Sequence, residues 1–294
     1  MTIAEIVNVY NAMVLDFFAG TNTLVNTGAV LTDTDKLEFK DKGQSADILI
    51  PSALTVHDFD GTSDVVKQEP ELAKKTITLD TLKDVTFTIP SSVMGAANRF
   101  DLLSKFAREA SRAIAKDVDT AIALEYANAG STIGDGSTGW TEDLVLSARK
   151  SFNAASAFEE NRFIVCKDDT SFYKTGMISA KDKVVVVDGG NVRSIKDIPE
   201  YAGFRIITSP YIQTVDSKNR DLVVQENGII FVNRPLEKEN SNTIEMSVLE
   251  QNGITMRTTY WYDPNKKQKV LSTDILYAVQ TIEDSLVIEA QIQP

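Results

Sequence analysis

Residue types that commonly perform nucleophilic or metal chemistry are scarce in this sequence of 294 residues, which contains one histidine and one cysteine. His57 lies in a polar, turn-rich stretch, whereas Cys166 lies within the apolar stretch RFIVC. A catalytic Cys/His pair or a structural zinc site needs several such side chains close together. We therefore predict an exposed imidazole at His57 and a small buried side chain at Cys166, with no catalytic residues, no metal and no cofactor.

Two local patterns resemble ligand-binding motifs. Gly134, Gly136 and Gly139 match the G-x-G-x-x-G of dinucleotide-binding turns, but that turn follows a β-strand, whereas a long helical pattern precedes these glycines. The acidic clusters at residues 33–38 and 58–64 have at most part of the ligand spacing of a calcium loop. We expect a linker at the glycines and no calcium at either cluster.

The strongest pattern in the sequence is one long helix over residues 98–130. Asn98, with Asp101 three residues later, is typical of an N-cap, and Gly130 is typical of a C-terminal cap. Apolar residues recur at three- and four-residue steps along one face, which we expect to be buried: Leu103, Phe106, Ala107, Ala110, Ile114, Val118, Ala121 and Ile122. At 1.5 Å per residue this spine helix is a rod of about 45 Å.

The opposite face of the spine helix is basic. It carries Lys105, Arg108, Arg112 and Lys116 at helical spacing, with Glu109 and Asp119 close enough to pair with some of them. One interpretation is a solvated face crossed by salt bridges. The other is a surface that faces a neighbouring subunit or a polyanion, and the sequence leaves both open.

The composition, 43% hydrophobic and 24% charged, predicts a soluble globular protein with two domains. The formal net charge of -12 argues against capture of nucleic acid by the overall field of the protein. The single cysteine excludes an internal disulfide scaffold and fits a reducing compartment. The sequence has no apolar run of membrane-spanning length and its first twenty residues lack the features of a signal peptide, so we expect an intracellular protein.

Further elements are predicted on both sides of the spine helix. Residues 2–19 form a short amphipathic helix, either on an arm that docks on a partner subunit or packed back on its own domain. Residues 46–54 and 75–90 form the strands of an extended hairpin around the acidic, aperiodic segment 57–73. Residues 131–239 alternate strand and helix patterns, and the chain ends with an antiparallel pair around Asn252 and two more strands, which we expect to pack against the spine helix.

This order of elements resembles the major capsid proteins of tailed bacteriophages of the Hong Kong 97 type. Similar stretches are QEPELAKKTITLDTLKDVTFTIP before the spine helix, IKDIPEYAGFRIITSPYI in the middle, and TTYWYDPNKKQKVLSTDILYAVQTIEDSLVIEA at the end. The resemblance covers nearly the whole chain. It implies an α+β fold of the Hong Kong 97 type, with an N-terminal arm (1–45), an extended loop and its flanks (46–97), a peripheral domain (98–130 and 240–294) and an axial domain (131–239).

The resemblance implies a structural protein rather than an enzyme. Hexamers and pentamers of the chain would build the icosahedral or prolate head shell, which encloses double-stranded DNA without sequence-specific binding. The location is the virion, after synthesis in the host cytoplasm, and implied partners are a separate scaffolding protein, a portal and decoration proteins. Contacts between subunits are expected in the extended loop at His57, Asp58, Asp60, Asp64, Lys67, Glu69 and Glu71.

The sequence leaves two alternatives open. An encapsulin-like compartment would have the same fold and enclose a cargo protein instead of a genome. A monomeric binding or adhesion module, whose hairpin tip grips a ligand, belongs to another class of protein. Particle contents distinguish the first alternative from a capsid, and the mass in solution distinguishes the second.

Overall fold

The computed structural model describes residues 3–21, 23–33, 42–51, 55–58, 67, 72–90, 99–177, 187–188, 191–192, 200–237 and 244–294. The α-helices are α1 (Ile3–Ala19), α2 (Arg99–Leu124), α3 (Glu142–Ala154) and α4 (Thr170–Lys174), and short 3-10 helices lie at Glu125–Asn128 and Asp284–Leu286. The strands in chain order are β1 (Leu31–Asp33), β2 (Ser45–Pro51), β3 (Leu72–Thr78), β4 (Thr81–Pro90), β5 (Ser131–Ile133), β6 (Arg162–Cys166), β7 (Val187–Asp188), β8 (Asn191–Val192), β9 (Glu200–Tyr201), β10 (Phe204–Thr208), β11 (Thr214–Val215), β12 (Lys218–Gln225), β13 (Ile229–Arg234), β14 (Ile244–Gln251), β15 (Ile254–Asp263), β16 (Gln268–Thr281) and β17 (Val287–Ile292).

The predicted spine helix is α2, and its buried face is the predicted one. Ala107, Ala110, Ile114, Val118 and Ile122 are each at most 2% exposed. The remaining members of that face, Leu103, Phe106 and Ala121, are partly buried against the same core. The three- and four-residue spacing thus identified the core side of the helix, because α2 packs along its length against a single apolar surface.

The predicted ends of the spine helix are only partly observed. Asn98 lies outside the described residues. At the other end α2 stops at Leu124 and continues as a 3-10 helix to Asn128. The prediction that Gly130 caps the α-helix is therefore wrong. The Gly130 N–H bonds to the carbonyls of Asp284 and Val287, and a Cβ there would lie 2.6 Å from the Asp284 oxygen. Glycine is therefore required at this position by a close backbone approach.

The first sheet is built around the long strand β16. Strand β4 runs antiparallel along one edge of β16, from Thr81 opposite Tyr277 to Pro90 opposite Gln268. Strands β15 and β13 follow one another along the other edge, β14 continues the sheet beyond β15, and β1 pairs in parallel with β13. The predicted antiparallel pair around Asn252 is the β14–β15 hairpin, which is thereby confirmed.

The second sheet has the strand order β5-β17-β12-β6-β10-β9, with β11 paired to β12. The parallel pairs are β6 with β10 and β5 with β17. Helix α3 covers one face of this sheet, where Val145, Ala148 and Phe152 join the buried cluster that contains Trp140 and Phe204. Thr141 accepts a hydrogen bond from the Leu144 N–H and caps α3.

Strand pairing crosses the predicted boundaries between the axial and peripheral parts. The last strand, β17, joins the second sheet, and its Val287 is buried in the cluster that contains the spine helix. Strands β12 and β13 follow each other in sequence but belong to different sheets, and β13 joins the strands of residues 244–281. One continuous buried cluster includes α2 together with Phe163 and Leu222 of the second sheet. The four-part division of the chain stays a prediction.

Helix α1 packs on its own chain. Val7, Tyr10, Val14 and Phe18 are buried in the same cluster as α2. The side chain of Asn11 donates hydrogen bonds to the carbonyls of Ser247 and Met256, at 3.0 and 3.1 Å, and so fastens α1 to the β14–β15 hairpin. Of the two interpretations that the sequence allowed, the structure therefore shows the second, because α1 finds an apolar partner within its own chain.

The predicted extended hairpin has a shorter second strand than the sequence suggested. Strands β2 and β3 pair from Ser45 opposite Thr78 to Pro51 opposite Leu72. The predicted strand over 75–90 is interrupted at Leu79, which is buried, and the chain continues as β4 in the first sheet. Alternation at strand period continued through both strands, so the sequence did not reveal the change of pairing partner.

Candidate assembly surfaces

The loop side of the β2–β3 hairpin carries the predicted subunit contacts. His57, Asp58 and Lys67 are exposed, as expected for residues outside the core of their own chain. Val56, beside them, is 94% exposed, which leaves an apolar side chain almost fully in water. The remaining candidates, Asp60, Asp64, Glu69 and Glu71, lie outside the described residues.

The basic face of the spine helix is a row of four exposed side chains, Lys105, Arg108, Arg112 and Lys116. Arg112 pairs with Glu109 at 2.8 Å, and both side chains are more than half exposed. The guanidinium of Arg108 lies over the ring of Phe17 in α1, 5.1 Å from its centroid. The structure thus shows the row at the surface, with Arg108 supported by α1.

Asp119 does not join this row, although the sequence placed it within reach. The segment after α1 covers it, and its Oδ1 accepts the Leu24 N–H at 2.9 Å. Only 4% of Asp119 is exposed, and burial raises the pKa of its carboxyl to about 6, an effect that this hydrogen bond partly opposes. The sequence could not show this, because the covering segment lies about a hundred residues away in the chain, a distance that periodicity does not report.

The G-x-G-x-x-G pattern forms a turn that packs against protein. A short strand, β5, does precede it, so the absence of a strand was a wrong reason for rejecting a nucleotide site. Gly134 and Gly136 have φ values of 74° and 77°, and a Cβ at Gly134 would lie 2.5 Å from the Gln291 carbonyl. A Cβ at Gly136 would meet Lys218. The glycines permit close contact with β17 and β12, and the predicted linker role holds.

Cys166 is buried as predicted, in a polar neighbourhood that the sequence did not reveal. Burial raises the pKa of its thiol well above the usual value, and the nearby carboxylate of Asp221 adds to the effect. Asp221 is itself 1% exposed, and its two oxygens accept hydrogen bonds from the Trp140 indole N–H at 2.8 Å and the Lys167 N–H at 3.1 Å. A raised thiol pKa disfavours the thiolate, so this cysteine is not activated as a nucleophile.

A cavity of about 320 Å³ lies next to Asp221, between the start of α3, α4 and the end of β17. Its lining includes the polar side chains of Asp168, Ser171, Lys174 and Asn219. Within the described ranges, three or more His, Cys, Asp or Glu side chains nowhere come together in a way that could hold a metal ion. Among the helices that the structure describes, none combines the length and apolar composition needed to cross a membrane.

Phe158 is a candidate contact residue that the sequence did not indicate. Its side chain is 77% exposed on the loop between α3 and β6. The loop itself is held firmly, because the buried guanidinium of Arg162 donates to the carbonyls of Phe158 and Ala157, both at 2.8 Å. An alanine-rich stretch followed by two glutamates gave no sign that this ring points outward.

Solved structures, but neither family models nor curated sequences, match this chain. No protein-family model matches the chain, and no curated protein matches its sequence. Solved structures do match. The capsid structure of cyanophage P-SCSP1u is 14% identical, with 90% of this chain and 86% of that chain covered and a TM-score of 0.60. The mature capsid of bacteriophage PhiM1 is 13% identical, with coverage of 90% and 86% and a TM-score of 0.54.

The fold is shared beyond phage capsids. The holo-SrpI encapsulin complex of Synechococcus elongatus is 8% identical, with 90% of this chain and 85% of that chain covered and a TM-score of 0.54. In each comparison the similarity extends over most of both chains, so this chain and the matched chain do not differ by a large additional domain. The chain therefore has the Hong Kong 97-type α+β capsid fold that its sequence predicts.

Proposed function

We propose that the chain is a major capsid protein, which self-assembles into the icosahedral or prolate head shell that encloses the double-stranded DNA of a tailed bacteriophage. The observation that carries the proposal is the two-way coverage of 90% and 86% with the cyanophage capsid structure at a TM-score of 0.60. Nearly every element of the chain therefore has a counterpart in a protein that forms a phage capsid. The role is structural and non-enzymatic.

The surface of the single chain supports this function. Val56 and Phe158 are apolar, largely exposed and placed on different elements. Exposed apolar groups gain free energy when a neighbour covers them, at roughly 25 cal/mol per Å². The β2–β3 pair is a separate two-stranded sheet, and the edges of such a sheet are where strands of a neighbouring molecule can pair. A shell buries such features at every subunit contact.

The proposal includes the partners and location that the fold implies. Copies of the chain form hexamers and pentamers, with the predicted axial part around the symmetry axes and the extended loop over adjacent subunits. A separate scaffolding protein, a portal and decoration proteins complete the head, and the shell assembles in the host cytoplasm before it becomes part of the virion. The contact residues of the extended loop remain those predicted from the sequence.

Electron microscopy and mass measurement of the purified chain test the proposal. We expect closed particles of uniform diameter, or their hexamers and pentamers, either from the chain alone or when it is produced with the scaffolding protein of the same phage. A chain that stays monomeric or dimeric under both conditions contradicts the proposal and supports the monomeric binding module.

An encapsulin-like compartment is the second candidate, and the similarity to the encapsulin complex over 90% of this chain supports it. The contents of the particles distinguish the two functions. A phage capsid purified from infected cells holds double-stranded DNA, whereas a compartment holds one cargo protein and no genome. Nuclease-resistant DNA of uniform length supports the capsid, and a stoichiometric protein cargo supports the compartment.

A further inference from the structure

The exposed row on the spine helix is an ordered positive surface on an acidic protein. At 3.6 residues per turn, Lys105, Arg108, Arg112 and Lys116 fall within an arc of about 80° around the α2 axis and extend over about 16 Å along it. All four side chains are exposed. The chain as a whole has a formal charge of -12, so this row is a local exception to its overall charge.

The acidic side chains of the same helix are directed elsewhere. Asp117 accepts the Tyr277 hydroxyl at 2.6 Å and pairs with Lys83 at 3.4 Å. Asp119 accepts the Leu24 N–H, as described above. Among the acidic side chains of α2 that the structure describes, only Glu109 remains beside the row, in an exposed pair with Arg112 that solvent ions and phosphates can displace. Asp117 and Asp119 are therefore held in contacts that do not involve Arg112 or Lys116.

We propose that this row binds the phosphate backbone of double-stranded DNA. Guanidinium and ammonium groups in a straight line match a line of phosphates, and arginine binds phosphate oxygens with two parallel N–H donors. The contact is local, because charges further than the Debye length of about 8 Å are largely screened at physiological salt. Distant acidic residues therefore do not cancel it.

The surroundings of the row favour a polyanion over a protein partner. Protein interfaces are centred on buried apolar or aromatic anchors. The exposed residues between the basic side chains are Glu109 and Ala113, which supply no such anchor. The ring of Phe17 at the row is partly buried and lies beneath the Arg108 guanidinium, so it positions a cation and leaves little ring surface for a partner.

The inference rests on the proposed function for the choice of double-stranded DNA as the polyanion, and its test uses the unassembled full-length chain. Binding to a fluorescent 20-base-pair duplex is measured by anisotropy between about 50 and about 200 mM salt, a range over which phosphate contacts weaken steeply. For the double variant Arg112→Gln and Lys116→Gln, we expect affinity at the lowest salt to fall at least about tenfold. The slope of log affinity against log salt should decrease by about 2, roughly 0.9 for each phosphate that is no longer neutralised.

The matched control is the double variant Lys150→Gln and Lys266→Gln, which removes the same charge from exposed positions on α3 and on the β15–β16 turn. We expect it to bind the duplex like the wild type. Lys116→Gln alone keeps the Arg112–Glu109 pair, gives half the change in slope, and serves as the test if the double variant unfolds.

Three results overturn the inference. In the first the wild type does not bind the duplex at the lowest salt, and in the second the control weakens binding as much as the row variant. In the third the row variant binds the duplex normally, and if it also no longer assembles, the row is assigned to contacts between copies of the chain. A chain that binds the duplex through the row but forms no shell contradicts only the proposed function, and shells without duplex binding contradict only this inference.

Discussion

Two buried carboxylates show how one residue type is held in different ways. Asp119 accepts one described hydrogen bond, from the Leu24 N–H, on a single oxygen. Asp221 uses both oxygens, one for the Trp140 indole and the other for the Lys167 N–H. Burial raises the pKa to about 6 at Asp119 and to about 7 at Asp221. An asparagine, which has one acceptor oxygen, can therefore replace Asp119 without loss of that bond, but it cannot satisfy both donors at Asp221.

Asp119→Asn should stabilise the unassembled chain at neutral pH. The pKa of about 6 in the folded chain lies above the ordinary 3.8, so the folded state binds more protons between these values. The stability that Asp119 contributes is complete below about pH 4 and is lost as the pH rises through about 6. Asparagine carries no charge and avoids this loss. The gain in the free energy of unfolding should be larger at pH 7.5 than at pH 4.5 by about 2 kcal/mol.

Urea unfolding of the variant and wild type at the two pH values measures this difference. Asp58→Asn, the same substitution at an exposed position, is the control, and we expect no gain from it at either pH. If the gain from Asp119→Asn is the same at pH 4.5 and pH 7.5, the buried carboxylate is not the cause.

At the scale of elements, the spine helix offers the sharpest test of burial. Ile114 is 2% exposed, so Ile114→Asp places a charge in the core that α2 shares with the sheets. We expect a loss of several kcal/mol, enough to unfold or aggregate the chain. The neighbouring Ala113 is exposed, and Ala113→Asp should leave the thermal midpoint within a few degrees of the wild type. Thermal unfolding and solubility measure both variants, and a soluble, cooperatively folding Ile114→Asp chain contradicts the assigned face.

Helices were easier to predict from the sequence than strand partners. The face of α2 follows from the spacing of its apolar residues, since a helix needs only one surface to pack against. Strand patterns gave the positions of β12 and β13, but the Asn227-Gly228 turn between them resembles a hairpin, whereas the two strands join different sheets. Gly228 passes close to the Leu286 carbonyl, where a Cβ would lie at 2.8 Å. Such long-range contacts decide pairing and are not visible in local periodicity.

Candidate site residues follow the same division. The basic row on α2 could be predicted, because it depends on helical spacing alone. The removal of Asp119 from that row could not, since it depends on a segment distant in sequence. Phe158 was also missed, because its exposure results from the way Arg162 holds the loop and not from any pattern around it. Surface residues that gain meaning from tertiary contacts carry little signal in the sequence.

For the whole molecule, the important distinction is between the shared core and the β2–β3 hairpin. The largest buried cluster joins α1, α2 and strands of both sheets, so these elements should fold together. The hairpin is attached at its base, where Ile77 and Leu79 pack with Ile230, Val232 and Leu276 of the first sheet. Its loop side contributes exposed residues only, as far as the structure describes it. Folding and assembly should therefore be separable in this part of the chain.

Replacing residues 52–71 with a short Gly/Ser turn tests that separation. Both strands of the hairpin and the buried base at Ile77 and Leu79 remain, and shortening the loop changes the closure entropy by only about 1 kcal/mol. Circular dichroism and the thermal midpoint of the unassembled chain should therefore stay close to the wild type, while electron microscopy shows few or no shells, because an interaction removed from one subunit is missing at every equivalent position of a shell. A second variant with the same residues 52–71 in scrambled order keeps length and charge, and its failure to assemble would show that specific side chains are needed. Shells of normal thermal stability from the shortened chain, or unfolding of its free subunit, would mean that the hairpin loop does not join one subunit to the next.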